Sequence, residues 1–130
     1  MALPRVVALS GMRFERLRMY DVAELLVAEV DAVLPHVGRA APGRAEHLER
    51  SADSVVFNMA EGTACYKPKM KVAAYEIARK EANEVRAVLR RFVIKGTLTE
   101  QQISKAYDLA GACMGMLTKA IIAIERRPVK

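Results

Sequence analysis

From Thr99 to Glu125 the chain places an apolar residue at nearly every third or fourth position: Ile103, Ala106, Tyr107, Ala110, Cys113, Met114, Leu117, Ile121 and Ile124. A stripe sustained over that length at a period near 3.6 is the mark of one buried helix face. Thr99, with Gln102 three residues on, has the spacing of a capping box, which sets where that helix begins. A helix this long with one apolar face needs other helices to cover it.

Three earlier segments supply them. Val22, Leu25, Leu26, Val30 and Val33 share one face of "YDVAELLVAEVDAVL", which stops before Pro35. "PHVGRAAPGRA" follows as a loop. Leu48, Ala52, Val55, Val56 and Met59 stripe "AEHLERSADSVVFNMAEG", with Gly62 as the expected stop. The third helix starts near Pro68, where a missing N–H costs nothing, and ends at Gly96. Its stripe is Met70, Ala74, Ile77, Val85, Val88, Leu89 and Phe92. No segment alternates as a strand does. Long helices joined by short loops predict an all-α, up-down-up-down antiparallel four-helix bundle. Leu26, Val55, Ile77, Leu89, Ala110 and Leu117 are its expected core. At 130 residues this is one domain, 1–130, with an N-terminal arm over about 1–13 and a basic C-terminal tail over about 126–130.

Functional classes narrow by what the pattern lacks. There is no P-loop, dinucleotide fingerprint or nucleophile elbow, so the expectation is a non-enzymatic protein with no catalytic residues and no cofactor. His36 and His47 stand near the long loop without ligand spacing, and no metal site is expected. Cys65 and Cys113 read as reduced thiols, one of them in the core. No apolar run reaches the roughly 18 residues of a membrane span, and the opening "MALPRVVALSG" is short for a signal peptide. The expected location is cytoplasmic, with no membrane partner.

Charge carries more information. The net charge is +6. Between Lys67 and Lys95 stand nine basic residues and three acidic ones, so 9 − 3 = +6 accounts for the whole excess. Arg79, Arg86 and Arg90 fall within about 40° of one another on the third helix, and Lys69, Lys80 and Arg91 form a second row about 100° round. Such a face is either a solvated, solubilising surface or a phosphate-binding one. No aromatic residue interleaves the basic ones on that face, so backbone contact is expected over base stacking.

The fourth helix has more apolar surface than one bundle covers. Gly111, Gly115 and Ile122 lie well off its main stripe, with Ala112, Met116 and Ala123 further round. Two mid-helix glycines cost roughly 1 kcal/mol each relative to alanine, a cost that close approach of another helix offsets. A homo-oligomer with Gly111, Gly115 and Ile122 at its interface is the expectation.

The phrase "NMAEG" from Asn58 to Gly62, "SADSV" before it, "AYEIARKEANEVRAVL" after it, and Phe14 and Leu17 in "RFERLRMYDVAELL" together resemble the four-helix bundle protein family, the ribosomal RNA intervening-sequence proteins. The resemblance runs from about Phe14 to Arg126. The chain departs from it at Val56, where the family often has Pro, and in "TACYKPK", where a basic, Ser-containing turn is usual. Relatives include accessory proteins of retroelement reverse transcriptases, basic ring-shaped oligomers that are often pentameric. The resemblance implies the fold, an oligomer, a plausible RNA or DNA role and no established enzyme activity. It marks Asn58, Glu61, Gly62 and Glu84 as motif positions, read here as structural: Asn58 bonding a neighbouring backbone, Gly62 closing its helix in the left-handed conformation, Glu61 pairing with a basic residue of the next helix or of another subunit. Glu81 falls inside the apolar arc of the third helix, where a carboxylate needs a partner or a shifted pKa.

The functional expectation is a basic oligomeric bundle that associates with nucleic acid through its third helix without sequence preference. The alternative is a scaffold that docks an acidic partner, such as a reverse transcriptase or a ribosomal component.

Overall fold

A computed structural model describes residues 18–127. The expected arm over 1–13, Phe14, Leu17 and the last residues of the tail lie outside them. The described chain holds four helices: α1 (Met19–Val33), α2 (Pro42–Ala64), α3 (Pro68–Ile94) and α4 (Glu100–Glu125). A single 3₁₀ turn, Leu34–His36, follows α1, and no strand occurs among the described residues.

Local chemistry sets most of the boundaries. Pro35 sits in the 3₁₀ turn, and Pro42 and Pro68 open α2 and α3. The Thr99 hydroxyl accepts from the Gln102 N–H while the Gln102 side chain accepts from the Thr99 N–H, so the capping box is complete. After α3, Gly96 takes φ 77°, the left-handed region. Its N–H donates to the Val93 carbonyl and that of Thr97 to Phe92, a Schellman closure.

Gly62 behaves otherwise. α2 begins at Pro42, earlier than the loop reading put it, and runs through Gly62 to Ala64. A Cβ on Gly62 would lie 2.4 Å from the Tyr75 ring. The glycine is needed for close helix contact, not as a left-handed stop.

The helices pack in a ring: α1 on α2, α2 on α3, α3 on α4, and α4 back on α1. Thr63 meets Tyr75 and His47 meets Glu84, so α2 and α3 run antiparallel. Arg79 meets Thr118 and Arg90 meets Glu100, so α3 and α4 do too. The core runs through the ring as one cluster that includes Leu26, Leu48, Val55, Met59, Leu89, Phe92, Leu109 and Leu117. The stripes expected for α1 are all buried, and Leu26, Val55, Leu89, Ala110 and Leu117 lie in the core.

Five of the seven residues expected on the α3 stripe are buried, Ala74, Val85, Val88, Leu89 and Phe92, and two are not. Ile77 is 43% exposed and Met70 55%, while Tyr75 is buried. Ala74, Ala78 and Ala82 occupy the buried face. Small residues there let the helices pack closely, Tyr75, Val85, Val88, Leu89 and Phe92 fill the core beside them, and Met70 and Ile77 lie outside it. Glu81 turns outward with Ile77 and is partly exposed, so the helix buries no carboxylate there.

α4 has the surplus apolar surface expected of it, though no run long enough to span a membrane was expected. By length and composition it is apolar enough to cross a membrane, with mean hydropathy 1.4 over its best 18-residue window. Only 33% of that window is buried inside the bundle. The core accounts for Ile103, Leu109, Ala110, Cys113, Leu117 and Ile121 but leaves the far side of the helix open.

Candidate nucleic-acid interface

The two basic rows of α3 have different surroundings. Arg79, Arg86 and Arg90 do not form a free surface: they lie along the seam between α3 and α4. The Arg79 Nη1 donates to Thr118 Oγ1 at 3.2 Å, and its Nη2 is 3.8 Å from Glu76. Arg90 pairs with Glu100 at 2.5 Å, and this hydrogen bond holds the guanidinium pKa above its ordinary value. Arg86 stacks on the Tyr107 ring, its Cζ 4.1 Å from the centroid, and points Nη1 at the Met114 sulfur. Its Nε is buried without an acceptor. The cation–π contact offsets part of that loss, being worth roughly 0.5–2 kcal/mol. A Cβ on Gly111 would stand 3.7 Å from the Arg86 Cζ, an ordinary van der Waals distance, so the glycine faces this side chain without being required by it. Gly111 therefore borders the seam within the chain.

At one end of the seam Arg90, Glu100, Ile103, Ser104, Tyr107 and Asp108 line a shallow cleft of about 330 Å³.

Lys69, Lys80 and Arg91 are all exposed, and no ion pair engages them among the described residues. Lys67 and Lys95 extend the row at the two ends of α3 and are exposed as well. Lys71 is spent differently: its amine donates to the carbonyls of Gly62 at 2.8 Å and Thr63 at 3.2 Å. A cation there satisfies the orphan carbonyls at the end of α2 and meets the negative end of its dipole. The sequence placed nine basic residues on one segment; the fold sorts them into a packed row, a cap and an open row.

The family motif works at the α2–α3 seam. Asn58 Nδ2 donates to the Ser54 carbonyl at 2.9 Å and to Ser54 Oγ at 3.0 Å, so its bond to backbone lies within its own helix. Glu84 pairs with His47 of α2 at 3.3 Å. Glu61 is exposed. Thr63 Oγ1 and the Tyr75 hydroxyl lie 3.2 Å apart, which anchors the ring that covers Gly62.

Gly62→Ala tests that contact. Helix propensity alone predicts a gain of roughly 1 kcal/mol. The Tyr75 ring is buried and tethered, so overpacking at a typical cost of ~1–3 kcal/mol should win. A lower denaturation midpoint is the expected result, restored in part by Tyr75→Leu in the same chain.

Cys65 and Cys113 are both free thiols. Burial pushes the Cys113 pKa up to about 12, which keeps it a thiol at any ordinary pH. Among the described residues no three His, Cys, Asp or Glu side chains gather as a metal site would require.

No significant match appears among curated proteins or solved structures. The family model for the 23S rRNA-intervening sequence protein matches residues 15–119. That span covers all of α1, α2 and α3, the motif Asn58–Gly62 and most of α4, and the chain belongs to the 23S rRNA-intervening sequence protein family.

Proposed function

We propose that this chain is a non-enzymatic bundle that associates with nucleic acid through the open basic row of α3. The observation that carries the reading is that Lys69, Lys80 and Arg91 stand exposed on one helix face with no ion pair among the described residues. The chain's charge excess lies on the segment Lys67–Lys95, which is this helix with its two flanking lysines. Cations held on a rigid helix without internal partners neutralise phosphates and release counterions. The family's name, drawn from an intervening sequence in 23S rRNA, supports RNA as the partner. The contact is to the backbone and tolerant of sequence, because lysine and arginine at the phosphates position without reading bases.

Titration of labelled RNA at several salt concentrations tests this. Affinity should fall linearly with the logarithm of salt concentration. Salt-insensitive binding, or none, counts against it. An acidic protein partner is the competing reading, favoured by Phe57, which is 67% exposed on α2 and offers an apolar anchor.

The bundle is further proposed to self-associate through the open side of α4. A Cβ on Gly115 would meet nothing within 4 Å, and Ile122 is 41% exposed. Gly115→Leu separates the cases. If that face is solvated, removing a helix glycine should stabilise the chain by roughly 1 kcal/mol or leave it unchanged. At a subunit contact the same change overpacks, at ~1–3 kcal/mol, and lowers the assembly state seen by light scattering. A wild-type chain that stays monomeric at high concentration would refute the assembly.

A further inference from the structure

The corner between α2 and α3 is three residues, Cys65, Tyr66 and Lys67. Tyr66 is 98% exposed, the most exposed large apolar residue of the described chain. A tyrosine usually buries its ring and leaves only its hydroxyl wet. Here the whole ring is in solvent at a rigid position, since helices of the packed bundle hold both ends of the corner. Lys67 follows at once with an extended backbone, and Lys69 stands in the first turn of α3. Both are exposed, and neither is engaged in an ion pair among the described residues. Lys69 is also the first member of the open row that continues through Lys80 and Arg91.

Within the helical face of α3 there is no aromatic residue among the basic ones. The aromatic residue stands one position ahead of it, where a helical pattern does not reach. An exposed ring followed within three residues by two exposed lysines that no ion pair engages among the described residues offers what single-stranded nucleic acid takes: a base on the ring, its flanking phosphates on the lysines. A duplex keeps its bases stacked on each other and offers the ring nothing. An acidic protein surface answers the lysines but leaves the ring without a flat π partner.

We infer that Tyr66, with Lys67 and Lys69, forms a stacking platform for an unpaired nucleotide, so that this corner selects single-stranded segments or loops over duplex. The inference rests on the proposed role of α3 as a phosphate-binding surface and names the form of nucleic acid that surface takes. DNA and RNA share the required base and phosphate chemistry.

The test uses the full chain with a labelled single strand and with a duplex of the same sequence, each as RNA and as DNA. Tyr66→Ala should weaken single-strand binding roughly five- to hundredfold, the span that base–aromatic stacking covers. It should change duplex binding less than about twofold by the same reasoning. Tyr66→Trp should keep the affinity, and because the chain has no Trp of its own it places a single indole at the platform. Its fluorescence should be quenched by the single strand and not by the duplex. Polyglutamate serves as the acidic-protein probe. A Tyr66→Ala chain that binds single strand as wild type does would overturn the platform while leaving the α3 reading intact. Polyglutamate binding as tight as RNA, with no quenching, would mean a charge-only surface and would also overturn it. Wild-type chain that binds no nucleic acid at all ends both.

Discussion

Leu117→Ala lowers the unfolding free energy by ~2–5 kcal/mol in urea titration, with the slope against urea unchanged. Leu117 is fully buried near the middle of the apolar face of α4, one helical turn from Cys113 and Ile121, which are buried too. Truncation removes three buried carbons and opens a cavity that the ring of four helices cannot easily close. The matched control is Ile77→Ala. Its side chain is 43% exposed on the flank of α3, and a cost under about 1 kcal/mol is expected there. Equal losses at the two positions would mean that α3 faces the core as its large apolar residues suggest, and that the alanine-lined contact is misplaced.

That pair of residues shows what the sequence could and could not disclose. Stripes made of large side chains were legible: every apolar residue expected to face inward from α1 does so, and the capping box of Thr99 and Gln102 is formed. Pro35, Pro68 and Gly96 also act where chain chemistry alone puts them. On α3 the same logic held for Ala74, Val85, Val88, Leu89 and Phe92 and failed at Ile77 and Met70, because a hydrophobic pattern weights these two over Ala78 and Ala82. Close helix packing inverts that weighting, since a small buried residue lets two backbones approach. Gly62 misled for a related reason. A left-handed stop and a tight contact both require glycine, and only the position of the Tyr75 ring distinguishes them.

The basic residues were legible as a count and a face, not as roles. Helical geometry separates the row of Arg79, Arg86 and Arg90 from that of Lys69, Lys80 and Arg91. It does not say which row meets a neighbouring helix. α4 lies against the arginine row and supplies Thr118, Tyr107, Met114 and Glu100 as partners. Planar guanidinium groups suit such a seam, stacking on a ring and reaching a carboxylate at once. Lysine, a compact hydrated charge on a flexible stem, suits the open side. Replacing all three seam arginines by Glu would therefore set a carboxylate against the Tyr107 ring and another against Glu100. The fold itself would suffer, and lost binding in that variant would say nothing about phosphate contact.

Charge reversal of the open row is the decisive change instead. In Lys69→Glu/Lys80→Glu/Arg91→Glu, three phosphate contacts are lost and three repulsions gained, and RNA affinity should fall on the order of 100- to 1,000-fold at physiological salt. The slope of log affinity against log salt should become shallower by roughly two to three, about 0.7–0.9 for each phosphate released. Stability should stay within about 0.5 kcal/mol of wild type, because all three residues are exposed and no ion pair engages them among the described residues. Arg90→Ala is the comparison from the seam. Its charge is already met by Glu100, so its loss should change affinity less than about threefold while removing an exposed ion pair worth little to the fold. The order of these two effects tests the assignment of rows. If Arg90→Ala abolishes binding and the reversed open row binds as wild type does, the phosphates lie along the α3–α4 seam and the open row serves only to keep the chain in solution.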